Sequence, residues 1–182
     1  MYEFEGQEYA GYFEHVPAAD SCVECHNTHT QQVQVDKCAN CHEGVDSKEA
    51  LATIRVSEAD FDGDGDATEG LAGEIDTMAE ALYAAMQAYA NATDGVDAII
   101  YDSHSYPYFF VDTDGDGAST PGEANYGNRY ASWTPTLLKG AYNYQYALKD
   151  PGGFAHNGKY VIQALYDTIE ALGGDVSAMT RP

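Results

Sequence analysis

Residues 22–42 read CVECHNTHTQQVQVDKCANCH, and this stretch holds all four cysteines of the 182-residue chain. It contains the pattern Cys-x-x-Cys-His twice, in residues 22–26 and 38–42, with the two copies sixteen residues apart. The pattern is the attachment signature of c-type haem, in which each thiol adds across one vinyl group and the histidine projects toward the iron. The stretch therefore predicts two covalently bound haem c groups. The predicted attachment residues and proximal ligands are Cys22, Cys25, His26, Cys38, Cys41 and His42.

The same four cysteines also fit a zinc ribbon, which binds one metal ion through four thiolates. In a generic intracellular chain, the spacing Cys-x2-Cys-x12-Cys-x2-Cys would favour zinc. The chain has only six histidines, and one of them stands directly after each cysteine pair, as haem attachment demands. Two separate disulfides would explain neither these histidines nor the pairing. Haem is therefore the favoured interpretation, and zinc stays open as the alternative.

Four further histidines are candidates for the sixth iron ligand. His15 and His29 precede the two cysteine pairs by seven and nine residues, so each could reach the far face of the haem that follows it. His156 precedes the last predicted helix and could approach through tertiary packing. His104 lies between two serines and is interpreted as an ordinary surface residue. We expect two of His15, His29 and His156 to be distal ligands, because the methionines lie far from the cluster or on a predicted core stripe.

Two Asp/Gly-rich loops follow the pattern of an EF-hand calcium loop. The second loop, residues 112–123, reads DTDGDGASTPGE, with acids at positions 1, 3 and 5, glycine at 6 and glutamate at 12. The first loop, residues 60–71, repeats the first half but ends on Leu71, so Glu69 or Glu74 would have to substitute. We expect one or two calcium ions; the alternative is a pair of solvated acidic turns. The predicted ligands are Asp112, Asp114, Asp116, Ala118 (through its carbonyl) and Glu123 in the second loop, and Asp60, Asp62, Asp64 and Asp66 in the first.

The charge of the chain excludes several classes of partner. Eight lysines and arginines against 30 aspartates and glutamates give a formal net charge of −22. Such a surface repels phosphate backbones and anionic lipid, so nucleic-acid binding and membrane-surface binding are excluded. No stretch approaches the ~18 apolar residues that a membrane-spanning helix needs, so no membrane insertion is expected. Cationic partners, metal ions or oxidised acceptors are favoured instead.

The apolar spacing predicts a mainly α domain with irregular loops and few short strands, organised around the haems. Helices are predicted at about residues 70–92, 134–149 and 157–172, with an extended aromatic stretch at 97–111. Alternating polarity in residues 1–20 predicts a β-like arm.

We expect one integrated domain with two parts. Residues 1–48 form the N-terminal arm and dihaem segment, and residues 49–182 form a helical, loop-containing part that packs on the haems.

Two segments resemble those of multihaem c-type cytochromes. Residues 13–29, FEHVPAADSCVECHNTH, are similar to the haem–histidine cassettes of that family, in which a histidine three residues beyond the attachment motif ligates iron. The segments WTPTLLK (133–139), AYNYQ (141–145) and FAHN (154–157) are similar to a stretch of large exported multihaem cytochromes. There a His-Asn pair that opens a helix supplies a distal ligand, so the resemblance implies this role for His156. This chain departs from those relatives in having only two haem motifs, so their enzymatic sites are not carried over.

The resemblance implies electron transfer between the haems and redox partner proteins or extracellular electron acceptors, in the periplasm or outside the cell. The first residues are acidic where a signal peptide would be basic, so the chain is expected to be mature, renumbered or intracellular, and the haem motifs favour the first two. No catalytic triad, phosphate-binding loop or His-Glu-x-x-His motif occurs.

Fifteen tyrosines provide amphipathic surface, which together with the small haem number predicts a homo-oligomer or filament; a monomeric shuttle is the alternative. Two alternatives from other classes are a dihaem peroxidase or reductase with one open iron, and a redox-inactive zinc- and calcium-binding module.

Overall fold

Three short helices precede three long ones in the computed structural model, which describes residues 1–16 and 19–182. Two three-residue strands form an antiparallel pair, in which Ile100 lies opposite Phe110. The predicted fold class, mainly helical with few short strands, is therefore confirmed. The elements are α1 (Cys22–Cys25), α2 (Val35–Cys38), α3 (Lys48–Leu51), α4 (Leu71–Ala92), β1 (Ile99–Tyr101), β2 (Phe109–Val111), α5 (Pro135–Lys149) and α6 (Gly153–Ala171).

The long helices begin and end near the predicted residues because local signals fix both ends. At the start of α5, the Thr134 hydroxyl accepts a hydrogen bond from the Leu137 N–H at 3.1 Å. After the last turn of α6, Gly173 adopts a φ of 80°, which a side chain would disfavour. The Gly174 N–H then donates to the Ile169 carbonyl at 2.9 Å and closes the helix end.

The α6 helix begins four residues before the predicted start, but a break lies at the predicted position. Asn157 has φ −168° and ψ 72°, so residues 153–156 form a single turn ahead of the longer helix. The Asn157 Oδ1 accepts a hydrogen bond from the Tyr160 N–H at 3.4 Å and caps that longer helix. His156 is consequently the last residue of the short turn, directly before the break.

The hydrophobic core lies where α4 packs against α5, α6 and β1. Burial of one Leu- or Met-sized side chain contributes roughly 1.5–3 kcal/mol, so the apolar stripes of the three helices supply most of the packing energy. The stripe residues that are fully or almost fully buried are Ile75, Met78, Leu82, Met86, Leu137, Ile162, Leu165 and Ile169.

The N-terminal arm lies along α5 and α6, and its described residues, 1–16, form no strand. Side chains of the two helices bond its backbone: the Tyr2 N–H donates to Asn143 Oδ1 at 2.5 Å, and the Ala10 N–H donates to Gln163 Oε1 at 2.7 Å. Asn157 Nδ2 donates to the backbone carbonyl of Gly11 in the arm at 2.8 Å. The predicted β-like character is thus wrong for residues 1–16, because helix side chains take the place of a neighbouring strand. Residues 17–18 of the predicted arm lie outside the described residues.

The cysteine-containing segment contributes almost nothing to this core. Helices α1, α2 and α3 have no buried residue, and within described residues 1–50 the only buried hydrophobic side chain is that of Val45. Tyr12, Phe13 and Val23 are 81%, 44% and 54% exposed. The division after residue 48 stays a prediction. No helix in the described part of the chain combines the length and apolarity needed to cross a bilayer.

Candidate haem and calcium sites

The two Cys-x-x-Cys-His motifs adopt the same local turn. In the first, the His26 N–H donates to the Cys22 carbonyl at 2.8 Å; in the second, the His42 N–H donates to the Cys38 carbonyl at 2.9 Å. Helical spacing places residues three apart on one face, so each turn holds its two thiols on the same side. All four cysteines are free thiols, two of them exposed and two partly buried. Both motifs therefore present a pair of thiols with an adjacent imidazole.

A tight hairpin between the motifs fixes the imidazole of His26. His26 and Val33 form an antiparallel bridge, and Gln31 at the turn has a positive φ of 58°. The Gln31 carbonyl lies 2.9 Å from His26 Nδ1. A carbonyl can only accept, so Nδ1 carries the proton and Nε2 keeps its lone pair for a metal.

The first imidazole pair joins the attachment segment to the start of α6. The ring centroids of His26 and His156 lie 6.4 Å apart, with the ring planes tilted by 41°. His156 Nδ1 lies 3.0 and 3.1 Å from the two carboxylate oxygens of Asp150. The proton of His156 is therefore on Nδ1, and its Nε2 is also free to bind a metal.

The second imidazole pair joins the arm to the other attachment motif. The ring centroids of His15 and His42 lie 6.0 Å apart, with a tilt of 48°. Sequence spacing alone allows His15 to reach the haem of residues 22–26, and in the structure its ring lies beside that of His42. The arm is fixed along α5 and α6, and this tertiary constraint decides which motif His15 reaches.

His29 and His104 stand apart from these pairs. His29 is exposed, and the Asn27 side chain accepts a hydrogen bond from its backbone N–H at 3.0 Å. Among the described residues, its ring makes no aromatic contact with either motif histidine. His104 is exposed and its backbone N–H donates to Asp102 Oδ1 at 2.7 Å, which agrees with a surface role.

Both imidazole separations fit two ligands on opposite faces of one iron. A metal–nitrogen bond of about 2 Å on each side, with about 1 Å more to each ring centre, gives centroids about 6 Å apart. The four thiols form no group of zinc-site dimensions in the described residues, although Cys25 lies close enough to Cys38 to contribute, after burial, to its raised pKa. In the part of the chain that the structure describes, every group of three or more potential ligand atoms within 4.8 Å consists of carboxylates, and none includes a cysteine.

The second acidic loop is folded around its first and last ligands. Asp112 Oδ1 accepts from the Gly115 N–H at 2.7 Å, and Oδ2 accepts from the Gly117 N–H at 2.9 Å. Glu123, 3% exposed, accepts from the N–H and hydroxyl groups of Thr113 and Thr120, and these bonds lower its pKa to about 2. The ligand atoms of Asp112, Asp114 and Glu123 lie within 4.8 Å of one another. The Asp116 carboxylate accepts from the Ala118 N–H at 2.8 Å and is not part of that group.

The first loop repeats these hydrogen bonds position by position. Asp60 accepts from the Gly63 N–H at 2.6 Å and from the Gly65 N–H at 2.9 Å, as Asp112 does at the equivalent glycines. Glu74, in the first turn of α4, accepts from the N–H groups of Phe61 and Asp62, both at 2.8 Å. Glu74 therefore occupies the structural place that Glu123 takes in the second loop.

The carboxylates of the first loop form two overlapping groups, Asp60–Asp62–Glu74 and Asp62–Asp64–Glu69. Asp62 Oδ2 and Glu69 Oε1 are buried oxygens without a hydrogen-bond donor among the described residues. Burial, followed by the neighbouring charges of Asp62 and Glu74, raises the pKa of Glu69. Burial also raises the pKa of Asp62. A divalent cation would satisfy these oxygens and remove the repulsion, so the donor set fits calcium. Asp66 is exposed and turns toward Thr68, which donates to it at 2.6 Å.

Sequence reasoning missed three residues that position these sites. Gln31 and Asp150 bond to the candidate ligand histidines, and Arg55 pairs with Glu74 at 2.5 Å. Asp150 directly follows the helix predicted at residues 134–149, and its distance of six residues from His156 is the one signal in the sequence. The left-handed Gln31 and the buried Arg55 belong to no sequence pattern.

The chain is similar to polyhaem c-type cytochromes of Geobacter sulfurreducens. It is 30% identical to the C-type polyheme cytochrome OmcB over 112 residues, which cover 54% of this chain and 15% of OmcB. It is 30% identical to the C-type polyheme cytochrome OmcC over 123 residues, which cover 60% of this chain and 15% of OmcC. The matches thus span a small part of the length of these relatives. No family model and no solved structure matches the chain.

Proposed function

We propose that this protein is a dihaem c-type cytochrome that transfers electrons between its haems and external redox partners. The observation that carries the proposal is the pairing of each motif histidine with a histidine distant in the chain, at centroid distances of 6.0 and 6.4 Å. Bound haem supplies one-electron chemistry. The similarity to polyhaem cytochromes supports the same function.

The chain's own residues attach, orient and shield the two haem groups. The free thiols of each turn would form two thioether bonds, which make the cofactor non-dissociable. The Gln31 carbonyl and the Asp150 carboxylate hold His26 and His156 in the tautomer that leaves Nε2 free. The exposed apolar side chains of the arm and of α1 would pack against the apolar macrocycles. In this proposal the haems supply the hydrophobic core that the cysteine-containing segment lacks.

Ligation of both faces favours electron transfer over catalysis. A dihaem peroxidase or reductase needs one iron with an open position for its substrate. Here His156 lies beside His26 and His15 lies beside His42, so each motif histidine has a candidate distal partner. The proposal therefore assigns the distal positions to His156 and His15, and it leaves His29 without an iron.

Calcium ions are the second part of the proposal, with one ion in each acidic loop. The repeated hydrogen-bond pattern and the buried unpaired oxygens of Asp62 and Glu69 support this assignment. Strand β2 leads into the second loop, and α4 follows the first loop with no helix directly before it. Neither loop is therefore flanked directly by helices on both sides, as an EF-hand loop is. The ions are structural in this proposal, in contrast to those of sensor EF-hands.

We assign the protein to the periplasm or the cell exterior, where redox proteins or oxidised acceptors receive its electrons. The proposed assembly is a homo-oligomer or filament, in which haems of adjacent subunits approach one another. Support comes from tyrosines whose rings stay in solvent, a surface type enriched at interfaces. The exposed tyrosines outside the arm include Tyr106, Tyr126 and Tyr142.

Haem stoichiometry and spin state test the function. The chain would be produced in a host that attaches haem c, and its mass and pyridine haemochrome spectrum would be measured after acid-acetone extraction. We expect two covalent haems per chain, both low-spin. Replacing Cys22 and Cys25 by alanine should remove one haem and leave the other. A colourless protein that holds one zinc per chain, or a high-spin iron that binds carbon monoxide rapidly, would overturn the proposal.

Light scattering and negative-stain microscopy of calcium-replete protein test the assembly separately. Polymers or closed oligomers at native concentration are the expected result. A monodisperse single-chain species at all concentrations would refute the assembly and leave the electron-transfer assignment intact.

A further inference from the structure

The two imidazole pairs differ in what holds the distal ring. Asp150 contacts His156 Nδ1 with both carboxylate oxygens, at 3.0 and 3.1 Å. In the described part of the chain, the ring of His15 has a tilted contact with His42 and an edge contact with Phe13, and neither it nor the ring of His42 has a hydrogen-bonded carboxylate. One candidate iron site therefore has an anionic partner on its distal ligand, and the other does not.

The loop before α6 is built so that Asp150 and His156 meet. Asp150 Oδ1 also accepts the Gly152 N–H at 3.1 Å, which fixes the carboxylate relative to the turn. A side chain at Gly152 would place its Cβ 2.7 Å from His156 Cε1, so only glycine leaves the imidazole in this position. The break at Asn157, whose Nδ2 donates to the Gly11 carbonyl at 2.8 Å, ends the turn directly after the ligand.

We propose that Asp150 is a positioning residue that lowers the reduction potential of the haem attached at Cys22 and Cys25 below that of the haem attached at Cys38 and Cys41. The inference rests on the proposed function. A carboxylate that accepts the Nδ1 proton makes the imidazole a stronger electron donor through Nε2. A stronger donor and a nearby negative charge stabilise Fe(III) relative to Fe(II), and the potential falls.

The consequence is a fixed direction for the electron within one chain. In the exchange between the two haems, the iron of the haem attached at Cys22 and Cys25 would go from Fe(II) to Fe(III), and the iron of the haem attached at Cys38 and Cys41 would accept that electron and go from Fe(III) to Fe(II). No proton or further reactant takes part. An electron therefore rests on the haem of the second motif, and the haem of the first motif is reduced last.

Potentiometry of the holoprotein at an electrode, with haem methyl NMR of partly reduced samples, tests the assignment. In the unaltered protein, the haem attached at Cys22 and Cys25 should be the one reduced at lower potential. Asp150→Asn should raise that lower potential and leave the higher one unchanged, because the amide keeps an acceptor but loses the charge. Asp150→Glu should restore the low value. Asp94→Asn, which removes an exposed charge from the turn after α4, is the matched control and should shift neither wave.

Several results would overturn the inference. One is that the haem attached at Cys22 and Cys25 is reduced at the higher potential. Another is that Asp150→Asn shifts the lower potential no more than Asp94→Asn does. The third is that Asp150→Asn shifts the potential of the haem attached at Cys38 and Cys41. If Asp150→Asn does not fold, the reduction order of the unaltered protein decides alone. Absence of covalent haem would instead be a failure of the proposed function, visible in the spectrum before any potential is measured.

Discussion

Arg55 and Glu74 form a buried ion pair that connects the segment after the second attachment motif with the first acidic loop. Arg55 Nη1 lies 2.5 Å from Glu74 Oε1, and the two side chains are 9% and 0% exposed. Arg55 also donates to the carbonyls of Ser57, Glu69 and Ala59. Because Glu74 in turn binds the backbone of the first loop, Arg55 supports the position of the candidate calcium ligands.

Replacing Arg55 by methionine should destabilise the protein strongly when calcium is removed. The change leaves the Glu74 carboxylate buried without a counter-charge, which costs about 3–5 kcal/mol in comparable pairs. Added calcium should recover part of the loss by supplying positive charge at Glu74. Urea unfolding in chelator and in calcium measures both effects. Arg129→Met is the control, because the Arg129 side chain is exposed, interacts with Tyr126 and forms no ion pair among the described residues; equal losses in the two variants would contradict the prediction.

Removal of the last carboxylate of a loop should abolish its response to calcium. Glu123→Gln is expected to lose the calcium-dependent rise in melting temperature of the second loop, and Glu74→Gln that of the first. A free calcium concentration about a hundredfold above the dissociation constant should raise the melting temperature of a chain of this size by roughly 5–10 °C.

Thermal scans with calcium or chelator measure this rise, with Glu170→Gln on the exposed end of α6 as control. A double Glu74→Gln, Glu123→Gln variant that still responds to chelator would show that the ions bind elsewhere.

Loss of the His156 side chain should open one of the two irons. His156→Ala is expected to convert half of the haem to a high-spin form that binds carbon monoxide in the reduced state, since the imidazole beside His26 is removed. Optical spectra and electron paramagnetic resonance measure the fraction. His29→Ala should keep both haems low-spin. The opposite pattern, with His29 required and His156 dispensable, would refute the assignment of distal ligands.

The core should lose stability in alkali through its buried tyrosines. Burial, with the neighbouring Tyr83, Tyr101 and Glu80, raises the pKa of Tyr144 to about 12. The phenol is protonated in both states below pH ~10, and between about 10 and 12 the unfolded chain loses the proton first, so native stability falls across this window.

The free energy of unfolding of Tyr144→Phe should therefore fall by about 1 kcal/mol less than that of the parent protein between pH 8 and pH 11. Urea unfolding at these two pH values measures the difference. Tyr142→Phe, on the exposed face of the same helix, should behave like the parent, and an alkaline loss unchanged by Tyr144→Phe would contradict the argument.

Features that depend on near neighbours in the chain were predictable from the sequence. Helical periodicity placed α4 and α5 within one or two residues of their observed ends, because the apolar stripe and the Thr134 cap act within a few residues. The attachment motifs and the pattern of both acidic loops were likewise legible, since their hydrogen bonds connect residues at most a few positions apart.

Tertiary structure alone decided which distant groups meet. Spacing measured only how far His15 could reach, and the packing of the arm on α5 and α6 placed it beside His42. The sequence offered Glu69 and Glu74 equally as replacements for the glutamate missing at position 12 of the first loop. In the structure the first turn of α4 places Glu74 where Glu123 lies in the second loop. His156 lies beside His26 of the hairpin, and Asp150 meets His156 of the short turn that ends at the helix break of Asn157. Such contacts depend on how distant segments lie against one another, which no local pattern encodes.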